Sequence, residues 1–297
     1  MQAMILAAGL GTRLLPHTLV RPKPLFPVLN QPLLLLTIKR LQNIGFDRIV
    51  VNCHHLREQI VAALDGLTGV IVQEEHSILG TGGGLRTALN YLDDEPLLVT
   101  NGDIYHTIDF NDFYQFHVAG GAPVTLAMHD YNRFNRVMVK NEKVVSFDDR
   151  SEHSLLAFTG IHMIDPEILT EIKQNRYSCI IDHYTKLLDD GKKIGCYRAD
   201  DCFWTDMGSP ADYLHLHGGL LKNDIPCWSE AGSVQKPYYI DKKAGLPTNI
   251  ELADWACIGE AHIEDGSHFE RVVVWDDVSI PAGSWLVDGI ISGHENK

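Results

Sequence analysis

The chain has 297 residues, 45% hydrophobic and 22% charged, with a formal net charge of −14 at pH 7. That length accommodates about two domains, and the negative charge argues against nucleic acid or an anionic membrane as partner. No run approaches the ~18 apolar residues of a membrane span, and no signal peptide is evident. The six cysteines are scattered, as expected of reduced thiols in a cytoplasmic protein. Anionic small substrates remain open, because a local cluster of Arg, Lys and metal overrules the global field at contact distance.

Ala3-Met-Ile-Leu6 reads as a buried strand, and Leu6-Ala-Ala-Gly-Leu-Gly-Thr-Arg13 as the Gly-rich turn leaving its end. Gly9 and Gly11 leave backbone N–H groups open to an approaching phosphate chain. Arg13 adds a forked donor, and Lys23 a point charge held stiffly between Pro22 and Pro24. The pattern predicts a triphosphate-binding loop. A dinucleotide fingerprint would need glycine where Leu14 stands, and a P-loop would need Gly-Lys-Ser/Thr after Gly11.

Between Pro32 and Gly45, Leu34, Ile38 and Leu41 recur at helical spacing. Arg48–Asn52 reads as a strand, Arg57–Leu64 as a helix and Val70–Gln73 as a strand, with His54 and His55 as an ordinary loop pair. This alternation predicts an α/β fold: a Rossmann-like mixed, mostly parallel sheet with helices on both faces, binding ligands beyond the carboxyl ends of its strands. Glycines 80, 82, 83 and 84 permit a flat ring to approach the backbone, and the stripe Leu85, Ala88, Leu89, Leu92 predicts a helix after them. Pro96–Thr100 reads as a strand delivering Asn101-Gly102-Asp103, a carboxylate position suited to Mg2+.

Asp109–His117 reads as a helix and Pro123–Met128 as a strand; Arg136–Lys140 and Lys143–Phe147 read as a hairpin. Leu155–Asp165 reads as a central strand, Pro166 as a helix start, Ile181–Asp190 as a helix and Ile194–Arg198 as a strand. Phe203-Trp-Thr-Asp-Met-Gly-Ser-Pro210 follows, with Ser209 and Pro210 opening a helix to about Lys222. His215 and His217 on that helix read as packing or surface residues. Residues 223–252 lack a period and read as a linker and docking segment. Beyond them Cys257, Ile263, Phe269, Val273, Ile280, Leu286 and Ile290 recur near six-residue spacing. That pattern predicts a short left-handed β-helix over 253–297. About two coils are too few to stand alone. The tail should dock on domain 1–222 or on a second copy, which would make a homo-oligomer.

Leu6–Arg13, Pro22-Lys-Pro24 and Leu25-Phe-Pro-Val-Leu-Asn-Gln-Pro-Leu33 together resemble the signature of the sugar-1-phosphate nucleotidyltransferases, the NDP-sugar pyrophosphorylases. The likeness covers roughly the first 220 residues. It implies an Mg2+-dependent enzyme that makes an NDP-sugar and pyrophosphate from an NTP and a sugar-1-phosphate, with Arg13, Lys23 and Asp103 in catalysis. It implies nucleotide contacts at Leu6, Ala8, Gly9, Gly11, Thr12, Arg13, Lys23, Gln73, Gly80, Thr81 and Gly102. Asn135, Asp149, Arg150, Thr159 and Gly160 are implied for the sugar phosphate, and Asp103 with Asp206, in a Trp-x-Asp-x-Gly-Ser motif, as the metal carboxylates. Two departures bear on the sugar. Phe134-Asn135 stands where an aromatic-Gly pair is usual, and Phe147-Asp-Asp-Arg-Ser151 where Phe-x-Glu-Lys-Pro is usual; arginine is no neutral replacement for lysine. The N-terminal motifs are similar to those of mannose-1-phosphate guanylyltransferases and N-acetylmuramate-1-phosphate uridylyltransferases. GTP with mannose-1-phosphate and UTP with an N-acetylated sugar-1-phosphate are both consistent with them. Retention of Arg13, Lys23, Asp103 and Asp206 favours an enzyme over a non-catalytic regulatory subunit that binds sugar nucleotides.

Overall fold

The computed structural model describes residues 1–147 and 155–293. Two compact units divide it: one joins Met1–Gly9 to Arg40–Trp204, and the other joins Leu10–Lys39 to the chain from Thr205 onward.

The first unit is built on a nine-stranded sheet. Its strands are β1 (Gln2–Ala7), β2 (Arg48–Cys53), β3 (Val70–Glu74), β4 (Leu97–Asn101), β5 (Val124–His129), β6 (Val137–Lys140), β7 (Lys143–Phe147), β8 (Leu155–Ile164) and β9 (Ile194–Arg198). They lie in the order β3-β2-β1-β4-β8-β5-β9-β7-β6, and β8 also pairs with β6. Strands β3, β2, β1 and β4 are parallel, whereas β8 is antiparallel to both β4 and β5. The sheet is therefore mixed. Ala3–Ile5, Ile49–Val51 and Leu97–Val99 are fully buried, the continuous apolar runs required where both faces of a parallel strand are covered.

The chain adds β2 and β3 on one side of β1, then crosses back to lay β4 on the other. Such a reversal leaves a crevice at the carboxyl ends of the two central strands. Here those ends are Leu6 and Asn101, which are partners in register.

The helices are α1 (Leu33–Ile44), α2 (Arg57–Leu64), α3 (Gly80–Ala88), α4 (Phe110–Gly120), α5 (Ile180–Asp189) and α6 (Pro210–Lys222). The start of α4 is fixed by the Asp109 carboxylate, which accepts from the N–H groups of Asn111 (2.7 Å) and Asp112 (3.2 Å). Ser209 caps α6 in the same way, accepting from Asp212 N–H at 3.2 Å.

Glycines 80 and 82–84 do not precede a helix, as the sequence suggests; they form the first turns of α3, which ends at Ala88, before Leu92. Packing is the reason. A Cβ on Gly83 would stand 2.6 Å from the Arg176 carbonyl oxygen, and one on Gly82 2.9 Å from Ser178 Oγ. The close approach outweighs the ~1 kcal/mol that each helical glycine costs relative to alanine. Pro166 opens a 3-10 segment, Pro166–Glu171, instead of an α-helix. Asp149 and Arg150 lie outside the described residues.

The second unit carries a stack of parallel strands: β10 (Tyr238–Ile240), β11 (Glu251–Ile258), β12 (His268–Val274) and β13 (Trp285–Ile291). Glu251, His268 and Trp285 stand in register, so one coil takes 17 residues. Cys257, Ile263, Phe269, Val273, Ile280 and Ile290 are buried, and Leu286 is half-buried. The stretch 223–252 supplies β10 to the stack. The stack docks on α6, where Gly218 admits the Trp255 indole: a Cβ there would lie 2.9 Å from Nε1. Lys222 pairs with Asp254 at 2.6 Å beside it. Among the described residues no helix is long and apolar enough to cross a membrane.

Candidate active site

In the first unit the site begins where β1 ends. Ala7 N–H donates to Asn52 Oδ1 (2.8 Å), and Asn52 Nδ2 donates to Glu75 Oε1 (2.7 Å). The other oxygen of Glu75 accepts from Leu79 N–H (3.1 Å), one residue before α3. Asn52 and Glu75 are buried, so this relay fixes the start of the loop and the start of the Gly-rich helix to one another. On the other side of β1, Gly102 N–H donates to the Leu6 carbonyl (2.8 Å). The ladder thus runs past the end of β4 and holds Asn101-Gly102-Asp103 against the first residues of the loop. Gly9 is exposed, and a Cβ there would meet nothing within 4 Å.

The remaining predicted residues of this unit have structural partners. Gln73 is buried; its Nε2 donates to the Gly84 carbonyl (3.0 Å), while Oε1 has no donor among the described residues. Thr81 Oγ1 accepts from Ile180 N–H (2.9 Å). Gly80 takes a positive φ, with the Ser178 carbonyl 2.6 Å from where a Cβ would be. Thr159 Oγ1 donates to the Ala127 carbonyl (2.7 Å). Gly160 also has a positive φ, and a Cβ on it would stand 2.5 Å from Asn101 Nδ2. The Asn135 amide bridges Asp130 Oδ1 (2.7 Å) and Tyr131 N–H (2.9 Å). Nearby the Tyr131, Phe134 and Trp204 rings form a cluster, and the Trp204 indole donates to the Thr159 carbonyl (2.9 Å).

The second unit gathers Arg13, Lys23 and Asp206. Gly11, in the left-handed region at φ 63°, leads into a 3-10 turn, Thr12–Leu14. A Cβ on Gly11 would lie 2.8 Å from Thr18 Cγ2 and 3.4 Å from Lys23 Cβ, so the turn packs on the segment that carries Lys23. Arg13 Nη2 stands 3.2 Å from Asp206 Oδ2. Lys23 Nζ donates to the Asp206 backbone carbonyl at 2.7 Å. One aspartate thus holds both cations, the guanidinium through its side chain and the ammonium through its backbone. Lys23 is buried, while the Arg13 side chain is 59% exposed.

The backbone around Asp206 is specialised. Gly208 N–H donates to Asp206 Oδ1 (3.1 Å), and Met207 between them has φ 41°. A non-glycine residue in that region stores on the order of 1–3 kcal/mol, a feature concentrated at functional sites. A Cβ on Gly208 would stand 2.6 Å from Arg13 Nη1 and 2.7–2.8 Å from both Asp206 carboxylate oxygens.

Among the described residues no group of three or more His, Cys, Asp or Glu could hold a metal by itself. Mg2+ asks for less: one or two carboxylates, with waters and substrate phosphates completing its shell. Asp103 and Asp206 each supply a hard oxygen donor of that kind, and neither motif contains Cys or His. Sequence reading passed over Asn52, Glu75 and Met207. A polar residue closing the apolar run Ile49-Val-Val was the available signal for Asn52; nothing local singled out Glu75 from Glu74.

The nucleotidyl transferase family matches residues 2–223. A mannose-1-phosphate guanylyltransferase of Mycobacterium tuberculosis is 29% identical over 294 residues, covering 95% of this chain and 81% of that protein. A UTP–glucose-1-phosphate uridylyltransferase of Synechocystis is 30% identical over 302 residues, covering 90% of this chain and 76% of that one. The crystal structure of HddC from Yersinia pseudotuberculosis, complexed with GMP-PN, aligns with a TM-score of 0.61 at 21% identity, over 72% of this chain and 97% of that one. That last likeness is one of fold.

Proposed function

Because this chain belongs to the nucleotidyl transferase family, we infer that it joins an NTP to a sugar-1-phosphate, releasing pyrophosphate and an NDP-sugar. The observation that carries the reading is the convergence of Arg13 and Lys23 on Asp206. GTP with mannose-1-phosphate is the favoured pair, supported by guanylyltransferase relatives such as that of M. tuberculosis. UTP with an N-acetylated sugar-1-phosphate is the alternative: the N-terminal motifs support it, and the uridylyltransferase relative, named for glucose-1-phosphate, supports the base alone.

An oxygen of the sugar phosphate attacks the α-phosphorus of the NTP in line. A phosphorus–oxygen bond forms there as the bond to the β-phosphate oxygen breaks, and the electron pair leaves with pyrophosphate. No protein nucleophile is needed, since both reactants are already ionised; the residues position them and stabilise charge. Backbone N–H groups of loop residues 9 to 13, Gly9, Gly11 and Thr12 among them, hold phosphate oxygens, and Leu6 and Ala8 lie along the nucleotide. Arg13 forks onto the leaving phosphates, and Lys23 neutralises the α-phosphate or the sugar phosphate. Asp103 and Asp206 are the residues that would hold Mg2+, whose charge offsets that of the phosphate oxygens. We assign Gln73, Gly80, Thr81 and Gly102 to the nucleotide, and Asn135, Asp149, Arg150, Thr159 and Gly160 to the sugar phosphate.

We further propose a catalytic domain over 1–222, a docking segment over 223–252 and left-handed winding of the coils over 253–297, which can also carry a homo-oligomer contact. The strand order supports helices on both faces of the sheet. Crossovers to β3 and back to β4 run in opposite directions, and right-handed crossovers then put α2 and α3 on opposite sides. The protein acts as a soluble cytoplasmic enzyme. The test of the reaction is pyrophosphate release over a grid of NTPs and sugar-1-phosphates with Mg2+. One pair should dominate, and release from none would refute the reading.

A further inference from the structure

We propose that the C-terminal stack positions the segment that carries Arg13 and Lys23, with Trp275 as the positioning residue; the proposal rests on the reaction assigned above. The excursion 10–39 has little backbone structure of its own before α1. It contains the 3-10 turns Thr12–Leu14, His17–Leu19 and Lys23–Leu25 and two strands of two residues each. A segment with so few internal hydrogen bonds owes its order to what it packs against. Here that support comes from the far end of the chain.

Trp275, just after β12, is 2% exposed. Its ring meets Phe26 edge-on at 4.6 Å between centroids, and the Arg21 guanidinium lies 4.9 Å from its centroid. Its indole N–H donates to the Tyr213 hydroxyl (3.3 Å), which in turn donates to the Pro27 carbonyl. Further ties flank it: His17 Nδ1 lies 2.8 Å from Ser292 Oγ, and Asn30 Nδ2 donates to the Ile258 carbonyl (2.7 Å). Lys23 sits between these anchors, buried, with its ammonium aimed at Asp206. The stack therefore sets where the two cations stand, although none of its residues touches a reacting group.

The test uses the full chain with Trp275→Leu and Trp275→Phe. Steady-state turnover and amide hydrogen exchange are compared between residues 11–26 and the β1 strand. The leucine variant should lower kcat/KM for the NTP by about 10- to 100-fold, the cost of misplacing a charged group by ~1 Å. Exchange should quicken in 11–26 and stay unchanged in β1. Trp275→Phe, which keeps an aromatic against Phe26, should return kcat/KM to within about threefold of the unaltered protein. Unchanged kcat/KM in the leucine variant overturns the proposal, as does equal loss of protection in β1 or failure of the phenylalanine to rescue. If Trp275→Leu does not fold, Ser292→Ala replaces it and should quicken exchange around His17 alone; no change there also overturns it. Exchange reads the positioning even if no substrate pair turns over, so failure of the assigned reaction is seen separately.

Discussion

Arg13 and Asp206 are joined across 193 residues of sequence, with Nη2 3.2 Å from Oδ2. The Arg13 side chain is 59% exposed, so the pair contributes little stability: exposed ion pairs are worth about 0–1 kcal/mol. Its value is aim. Asp206 points the guanidinium, while the same residue's carbonyl points the Lys23 ammonium.

The pair should therefore behave as a unit. Arg13→Gln and Asp206→Asn should each lower kcat/KM by about 10²–10³, the cost of losing one preorganised charge contact. The double variant should fall no more than about threefold below the worse single, since members of one constellation are not additive. Pyrophosphate-release kinetics on the three variants check this. Multiplicative losses would mean that the residues act independently.

Gly9 and Gly208 should respond to alanine differently, in structure and in the kinetic constant affected. At Gly9 a Cβ meets nothing of the protein within 4 Å, whereas at Gly208 it lies 2.6 Å from Arg13 Nη1. Gly9→Ala should leave the melting temperature unchanged yet raise the KM for NTP, because the methyl occupies phosphate space. Gly208→Ala should disturb the Arg13–Asp206 geometry and lower kcat, with a loss of about 10². Thermal melts with steady-state kinetics separate the two; an unaffected Gly9→Ala enzyme would remove that glycine from the phosphate contacts.

Gly84 sets two magnitudes against each other. Helix propensity favours alanine by about 1 kcal/mol. Packing opposes it, because the new Cβ would stand 2.9 Å from Asn52 Nδ2 and 3.0 Å from Glu75 Oε1; overpacking costs about 1–3 kcal/mol. Urea denaturation of Gly84→Ala should show net destabilisation. A stabilised variant would mean that the Asn52–Glu75 relay yields easily.

Acid should weaken the fold through its buried histidines, among which burial also holds His106 well below and His117 below the ordinary range. Burial pushes His162 down to about 3 and His217 to about 4, from an ordinary 6.5. Both folded values lie below the unfolded one, so the unfolded chain binds more protons. The stability is present above about pH 6.5 and is lost as pH falls below it, by up to ~1.4 kcal/mol per pH unit for each histidine. Neither ring nitrogen of His162 has a hydrogen-bond partner among the described residues. His162→Leu should thus lower the slope between pH 6 and 4 by up to ~1.4 kcal/mol per pH unit and cost less than about 1.5 kcal/mol at pH 8. Denaturant midpoints across pH check it; an unchanged slope would show that other groups dominate.

The strands β1, β2 and β4 were legible because each is a short apolar run, and the Asp206 motif because its glycine and N-cap lie within four residues of it. Lys23 and Arg13 were legible as cations, but not their meeting with Asp206, because no local pattern encodes contact over 183 residues. Likewise the glycines of α3 read as preceding the helix, not forming it, since the crowding that demands them comes from Arg176 and Ser178, distant in sequence. The repeat over 253–297 was legible, whereas 223–252 read as a linker although it supplies β10, and the stack's grip on Phe26 through Trp275 was not legible.

The position of bond cleavage tests the central claim most directly. With Mg2+, the sugar-1-phosphate preferred in the substrate grid and its NTP labelled at the α-phosphate, the label should appear wholly in the NDP-sugar, while a γ-label leaves in pyrophosphate. A γ-label recovered in a phosphorylated sugar, or in free phosphate, would contradict attack at the α-phosphorus.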